Sequence, residues 1–174
     1  DRPALLRLQV RALMLAADGK PLKIMFPMIA DVEEYRRAVE VVEIEKRHLL
    51  KRGHRLPEPL KLGAMIEIPA LLWQLDSLLP LVDFASIGSN DLVQFLFASD
   101  RGNPKLAGRY AALGPAALGA MRLIVEKAEK HNKPVTLCGE LGGRPLEAMA
   151  LVGVGLRSIS MVPSAVGPGK AMVR

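Results

Sequence analysis

Apolar and polar positions fall into alternating blocks along the chain. Residues 3 to 17 space Leu5, Leu8, Leu13 and Ala16 around Arg7 and Arg11, which predicts an amphipathic helix. Asp18-Gly19-Lys20-Pro21 stops it. Leu22 to Ile29 is an apolar strand, and Pro27, which lacks a ladder donor, belongs near its C-terminal end. Asp31 and Glu34 have the spacing of a capping box, opening a long charged helix to about Lys51. Gly53 to Pro59 is a turn with two prolines, and Leu60 to Glu67 is the next strand. Pro69 suits the first turn of a helix over about Ala70 to Leu79. Leu81 to Ile87 is a third strand.

The second half repeats the pattern. A Gly88-Ser89-Asn90-Asp91 turn leads into a short helix, and Asp100 to Gly114 is a loop. Pro115 opens a helix to about His131, Pro134 to Cys138 is a fourth strand, and Pro145 to Val152 is a helix stopped by Gly153 and Gly155. Arg157 to Met161 is a fifth strand, and a last helix begins near Pro163 and Ser164. Buried strands alternating with amphipathic helices mean parallel β/α architecture, either an open doubly wound sheet or part of a barrel. Polar residues gather at successive strand ends: Glu67, Asn90 with Asp91, Cys138 with Glu140, and Ser160. A (β/α)8 barrel carries its active site on that rim, so the expected fold is five β/α units of such a barrel, with about three strands missing on the N-terminal side. Both ends look cut: Asp1-Arg2-Pro3 starts a helix with nothing ahead of it, and Lys170 to Arg174 stops without a cap. Residues 1 to 174 are read as one partial barrel domain.

Composition narrows the functional classes. Half of the 174 residues are apolar but only 4% are aromatic, so the core is aliphatic. A net charge of +6 invites a nucleic-acid partner. However, Arg36, Arg37, Lys46, Arg47, Lys51 and Arg52 share one helical stretch with five Glu, and little aromatic surface is interleaved for base stacking. A solvated helix face accounts for the charge better than nucleic acid does. A single cysteine, Cys138, excludes an internal disulfide and fits a reducing cytoplasm. No signal peptide is visible, and no apolar run reaches the roughly 18 residues that would suggest a membrane span.

Ser86 to Asn103 concentrates the chemistry. Its first turn offers Asn90, Asp91 and the N–H groups of a helix start, and the loop after the helix adds Arg101 beside Asp100. Asp91 alone could be an N-cap, Glu67 alone a strand end, and Arg101 an ordinary surface side chain. Glu67 and Asp91 at neighbouring strand ends make a hard oxygen pair suited to Mg²⁺. Arg101, held by Asp100, could address a phosphate. Cys138 reads either as a small buried apolar residue or as a thiol at the rim. The strand methionines Met25, Met28, Met65 and Met161 belong in the interior, and His131 reads as a helix C-terminal cation.

Several of these blocks resemble a known family. Ile24-Met-Phe-Pro-Met-Ile29, Gly63-Ala-Met-Ile-Glu-Ile-Pro-Ala70, Asp83-Phe-Ala-Ser-Ile-Gly-Ser-Asn-Asp-Leu92, Asp100-Arg-Gly-Asn103 and Cys138-Gly-Glu-Leu-Gly142 are similar to the phosphoenolpyruvate-binding TIM barrel of the PEP-utilising enzymes. Within that group they look most like enzyme I of the phosphotransferase system, the phosphoenolpyruvate–protein phosphotransferases. The stretch from Gly143-Arg-Pro through Ala165-Val-Gly-Pro-Gly-Lys-Ala-Met172 resembles the nitrogen-related branch, which carries a GAF domain upstream. Pyruvate phosphate dikinase and PEP synthase share some of the blocks and supply the alternative.

The resemblance implies a set of roles. Glu67 and Asp91 would be Mg²⁺ ligands. Asn90, Asp91 and Arg101 would bind phosphoenolpyruvate, and Cys138 would protonate the enolate carbon as pyruvate forms. The phosphoryl group would pass to a histidine on a separate upstream domain and then to an HPr-type carrier. A homodimer formed through the barrel and a cytoplasmic location are implied as well, and the isolated fragment would be inactive. Ser89, where the family has Thr, and Gly142, where Ala is common, are the departures.

Overall fold

The computed structural model describes residues 3–106 and 112–173. The two extreme ends and the middle of the Asp100–Gly114 loop, on which parts of the sequence reading fall, lie outside them. Helix α1 (Pro3–Ala17) leads to β1 (Leu22–Phe26), α2 (Val32–Lys51) and β2 (Leu60–Ile66). A helical connection follows, with 3-10 turns at Pro69–Gln74 and Leu79–Leu81 around α3 (Leu75–Leu78). Then come β3 (Phe84–Gly88), α4 (Ser89–Leu96), α5 (Pro115–Lys130), β4 (Val135–Cys138), a 3-10 turn (Glu140–Gly143), α6 (Pro145–Val154) and α7 (Pro163–Val173). The four strands pair in chain order, all parallel.

Side chains alternate across a strand, so each strand presents two faces. On one face Ile24, Phe26, Ala64, Ile66, Ala85, Ile87 and Leu137 are buried in the main core. Met14, Tyr35, Val42, Leu49, Leu75, Met121 and Ile124 meet them from the helices. The ring of Phe26 stands edge-on to Tyr35, with centroids 5.9 Å apart. On the other face lie Lys23, Met25, Gly63, Met65, Phe84, Ser86, Thr136 and Cys138. The ammonium of Lys23 sits 5.6 Å from the Phe84 ring centroid on that side.

Helix α2 has the expected start. Asp31 accepts the Glu33 N–H at 2.7 Å, and the Glu34 carboxylate reaches back to the Asp31 N–H at 3.3 Å, closing the box. Helix α1 is fastened to α2 by charge. Glu45, fully buried, accepts from Arg7 Nε at 2.5 Å and from Arg11 Nε at 2.7 Å.

Several expectations are corrected. Arg157 to Met161 is not a full strand: it meets β4 through a single parallel bridge, Leu137 with Ile159. The cause is local, since β4 is four residues long and Gly139 then turns away with φ 118°. β3 starts at Phe84 rather than Leu81. Pro80 sits in a 3-10 turn, and Asp83 joins β2 with its carboxylate, accepting the Leu62 N–H at 2.7 Å. The Ala70–Leu79 helix is mostly 3-10, confined between Pro69 and Pro80. α6 runs through Gly153 and stops at Gly155. Met28 and Met161 fall outside the strands, Met28 with φ 57° and half exposed. His131 does end α5, but its ring also pairs with Asp76 at 2.8 Å, beside Lys127 and Lys130.

Candidate active site

The strand register lines up three positions at the C-terminal edge of the sheet. Ile66 pairs with Ile87 and Gly88 pairs with Cys138, so Glu67, Gly88 and Cys138 form one row. Helix α4 begins directly after Gly88 and carries Asn90 and Asp91 in its first turn. Glu67, Asn90, Asp91 and Cys138 thus lie along one rim, and Arg101 approaches it through Asp91.

Glu67 is 3% exposed, unusual for a carboxylate. Its Oε1 accepts the Met28 N–H at 2.7 Å, which ties the end of β2 to the loop leaving β1. Its Oε2 lies against Gly88, where a Cβ would come within 2.5 Å of that oxygen. Burial pushes the Glu67 pKa above its ordinary range. The Met28 N–H opposes that shift, and the nearby charge of Asp91 adds to it. A cation beside the Glu67 carboxylate would offset both the burial and the neighbouring charge. Their oxygens are the donor type a hard divalent ion takes, and Mg²⁺ is held in many sites by only one or two protein carboxylates. Among the described residues no group of three or more His, Cys, Asp or Glu gathers around a common point.

Asp91 is not an N-cap. It is the third residue of α4, and the cap position falls on Gly88, which has no side chain to offer. Its carboxylate is left to face Arg101, whose Nη2 lies 3.9 Å from Oδ1. Asp100 does not hold Arg101. It accepts the Gly102 N–H at 2.8 Å instead, shaping the turn, while Gln94 accepts the Arg101 N–H at 3.3 Å. The Arg101 side chain is 54% exposed, free enough to meet an anion.

Asn90 is oriented by the opposite wall. Its Oδ1 accepts the Glu140 N–H at 3.2 Å, which turns the amide NH2 away from that backbone. Asn90 borders a cleft of about 540 Å³, lined also by Gly139, Glu140, Arg144, Ser160 and Met161. Ser89 Oγ donates to the Cys138 carbonyl at 2.9 Å, fastening the start of α4 to the end of β4. Gly139 adopts φ 118°, and a Cβ there would collide with Ser89 Oγ.

Cys138 is partly accessible and lies on the sheet face turned away from the helices. Its Sγ is 3.6 Å from the Ile87 carbonyl and 3.7 Å from Ser86 Oγ, and Thr136 Oγ1 donates to Ser86 at 3.1 Å. Sequence reasoning does not reach the Met28 N–H or the Ser86–Thr136 pair. The alternation Thr136, Cys138 on one strand and Ser86, Gly88 on the next is the pattern that places these side chains on one face.

The family model described as "PEP-utilising enzyme, PEP-binding domain" matches residues 1–174. A "Phosphoenolpyruvate-protein phosphotransferase" from Bacillus subtilis (strain 168) is 38% identical over 173 residues, covering 99% of this chain and 30% of that protein. A "Phosphoenolpyruvate-dependent phosphotransferase system" protein from Salmonella typhimurium is 37% identical over 177 residues, covering the whole of this chain and 23% of that protein. The chain therefore spans less than a third of the length of these relatives. Among solved structures, a citrate lyase from Burkholderia xenovorans superposes with a TM-score of 0.69 at 21% identity, covering 99% of this chain and 53% of that one. An HpcH/HpaI aldolase from Desulfitobacterium hafniense gives 0.58 at 16% identity, covering 95% and 66%. At those identities the two structures bear on fold alone, and they place the parallel sheet among TIM-barrel-like folds. With a match along its whole length, the chain belongs to the PEP-binding domain family of the PEP-utilising enzymes.

Proposed function

We propose that this chain is the phosphoenolpyruvate-binding part of a phosphoenolpyruvate–protein phosphotransferase of the enzyme I type. The observation that carries the proposal is the row at the strand ends, where two carboxylates, a guanidinium and a thiol surround one rim. Glu67 and Asp91 would hold Mg²⁺, Asn90 and Arg101 bind the phosphoryl group, and Cys138 faces the methylene carbon. A bound Mg²⁺ supplies Lewis-acid neutralisation of phosphoryl and enolate charge. Arg101 shares that task from the loop side, through charge-assisted hydrogen bonds. As the phosphoryl group leaves for a histidine nitrogen, the electron pair of the broken P–O bond stays on the enol oxygen. Cys138 gives its proton to the enolate carbon, and pyruvate departs.

The accepting histidine lies on an upstream domain and passes the group to an HPr-type carrier. The C-terminal five-unit truncation of a (β/α)8 barrel, with this chain inactive alone, belongs to the same proposal. So does membership of the nitrogen-related branch with a GAF domain. Its support is the resemblance over residues 143 to 172. No helix among the described residues is long and apolar enough to cross a membrane. A cytoplasmic location is part of the same proposal. A homodimer is supported by unpartnered apolar surface, above all Trp73, which is 86% exposed. The relatives named above are phosphotransferases, which favours this function over a dikinase or synthase.

Phosphorus NMR of the full-length protein with phosphoenolpyruvate and Mg²⁺ tests the proposal. Wild type converts phosphoenolpyruvate to phosphohistidine and pyruvate, and Cys138→Ala slows pyruvate formation by about 100-fold or more. Turnover of Cys138→Ala at the wild-type rate removes the acid assignment.

A further inference from the structure

We propose that Ser86 is a positioning residue for Cys138, holding the thiol during proton transfer and stabilising the thiolate left behind. It rests on Cys138 acting as the acid described above.

Ser86 is 3% exposed, one of four buried polar or charged residues among those described. Its place in the middle of β3, between Met65 and Thr136 on the neighbouring strands, would suit a small apolar side chain equally well. A hydroxyl there needs partners, and it has two. Thr136 Oγ1 donates to Ser86 Oγ at 3.1 Å, and Ser86 Oγ donates to Cys138 Sγ at 3.7 Å. Cys138 Sγ in turn donates to the Ile87 carbonyl at 3.6 Å.

Each of these three groups carries one proton, so the chain has a direction. Thr136 gives to Ser86, Ser86 gives to sulfur, and sulfur gives to a carbonyl. The Ser86 proton occupies one side of the sulfur and the Ile87 carbonyl draws the thiol proton to another, which limits the rotamers of Cys138. When the enolate carbon takes the thiol proton, the S–H bond breaks and its electron pair stays on sulfur. The Ser86 hydroxyl already points at that charge, and its bond strengthens as the acceptor becomes an anion. Thr136 polarises the Ser86 hydroxyl further. Ser86 keeps its own proton throughout, and solvent returns one to the sulfur after pyruvate leaves.

Two readouts on the full-length protein test this. The first is the rate at which iodoacetamide alkylates Cys138 at one fixed pH, followed by mass spectrometry of its peptide. Ser86→Ala is expected to slow alkylation about tenfold, the size of one hydrogen bond to a charged group. Ser86→Thr, which restores the hydroxyl, returns most of the rate. Thr136→Val acts from the far side of the chain and gives a smaller loss in the same direction, and it serves alone if Ser86→Ala does not fold. The second readout is steady-state turnover with phosphoenolpyruvate. Ser86→Ala lowers kcat while KM stays within about twofold, because Ser86 touches the acid and not the phosphoryl site. Alkylation at the wild-type rate in both Ser86→Ala and Thr136→Val overturns the proposal even if Cys138→Ala proves inactive. If Cys138→Ala turns over normally while Ser86→Ala alkylates slowly, the functional assignment of the thiol fails and the Ser86–Cys138 coupling stands.

Discussion

Glu67 Oε1 accepts the backbone N–H of Met28 at 2.7 Å across the gap between two strand ends. The bond fixes the carboxylate from the β1 side, while Gly88 leaves room for its other oxygen from the β3 side. Met28 adopts φ 57° to present its N–H, a conformation costly for a residue with a side chain. Backbone strain at one strand end thus goes together with a positioned carboxylate at the next.

Glu67→Gln separates the two duties of this side chain. The amide still accepts from Met28, so the fold is kept, but the charge is gone. Metal-free, the variant should melt at or above the wild-type temperature, since it removes a carboxylate that burial disfavours. Its Mg²⁺-dependent affinity for phosphoenolpyruvate should fall by at least about 100-fold, the upper end of what even an outer-sphere partner costs. Scanning fluorimetry with and without Mg²⁺, plus calorimetry with phosphoenolpyruvate, reads both. Unchanged affinity would rule out Glu67 as a ligand.

Gly88→Ala tests the space rather than the charge. Gly88 has φ −83°, which alanine adopts freely, so any effect is steric. The new Cβ would meet Glu67 Oε2 at 2.5 Å and Met65 Sδ at 3.0 Å. The expected cost is about 1–3 kcal/mol of stability from overpacking. Loss of Mg²⁺-dependent binding should accompany it. Urea unfolding and the same calorimetry check it, and wild-type binding by a stable Gly88→Ala protein would mean that the carboxylate's placement is unimportant.

Arg101→Ala should leave stability nearly untouched. Its pairing with Asp91 at 3.9 Å is at the surface, where ion pairs are worth about 0–1 kcal/mol. Phosphoenolpyruvate affinity, in contrast, should drop about 10- to 100-fold, the size of one or two hydrogen bonds to a charged group. Lysine at this position should restore part of the loss, because it keeps the charge but not the two-pronged geometry. A melting curve and a binding isotherm for each variant suffice, and a variant with lowered stability and normal affinity would contradict the role.

The Glu45 cluster predicts an acid-sensitive attachment of α1. Hydrogen bonds from Arg11 and Arg7 hold the Glu45 pKa below its ordinary range. A carboxylate with a lowered native pKa adds stability that is present above its unfolded value. That stability is lost as pH falls through the native value. The Arg7→Ala, Arg11→Ala double variant removes both charged donors from Glu45 and should cost about 1–3 kcal/mol at neutral pH, since water can reach the carboxylate once they are gone. Glu45→Gln should cost less, since both arginines are partly exposed and can hydrate, and it should flatten the acid branch. Urea unfolding across the acid range decides. An acid branch as steep in Glu45→Gln as in wild type would assign the pH dependence elsewhere.

What the chain reveals by itself follows the range of the forces involved. The Asp31–Glu34 box is local in sequence, and it forms as the spacing predicts. The rim residues are legible because strand ends in parallel β/α proteins share one edge, so Glu67, Asp91 and Cys138 converge without any knowledge of register. Contacts that depend on register are not legible. Asp83 meets Leu62 with both its backbone N–H and its carboxylate because Leu62 happens to lie opposite, and Ile159 makes one bridge because β4 ends at Cys138. Arg101 faces Asp91 and not its neighbour Asp100, since a carboxylate two residues before a glycine closes its own turn first.

The two-faced sheet makes a statement about tolerance to change. Along β2, β3 and β4, every second residue answers to packing against the helices, and those between answer to the rim. Ala64, Ile66, Ala85, Ile87 and Leu137 alternate with Met65, Glu67, Ser86, Thr136 and Cys138. On the proposed function, a mutational scan that scores cellular abundance separately from phosphoenolpyruvate turnover by the full-length protein should switch phenotype at each step along a strand. Substitutions in the first set lower abundance and activity together. Those in the second set lower activity while abundance stays closer to wild type.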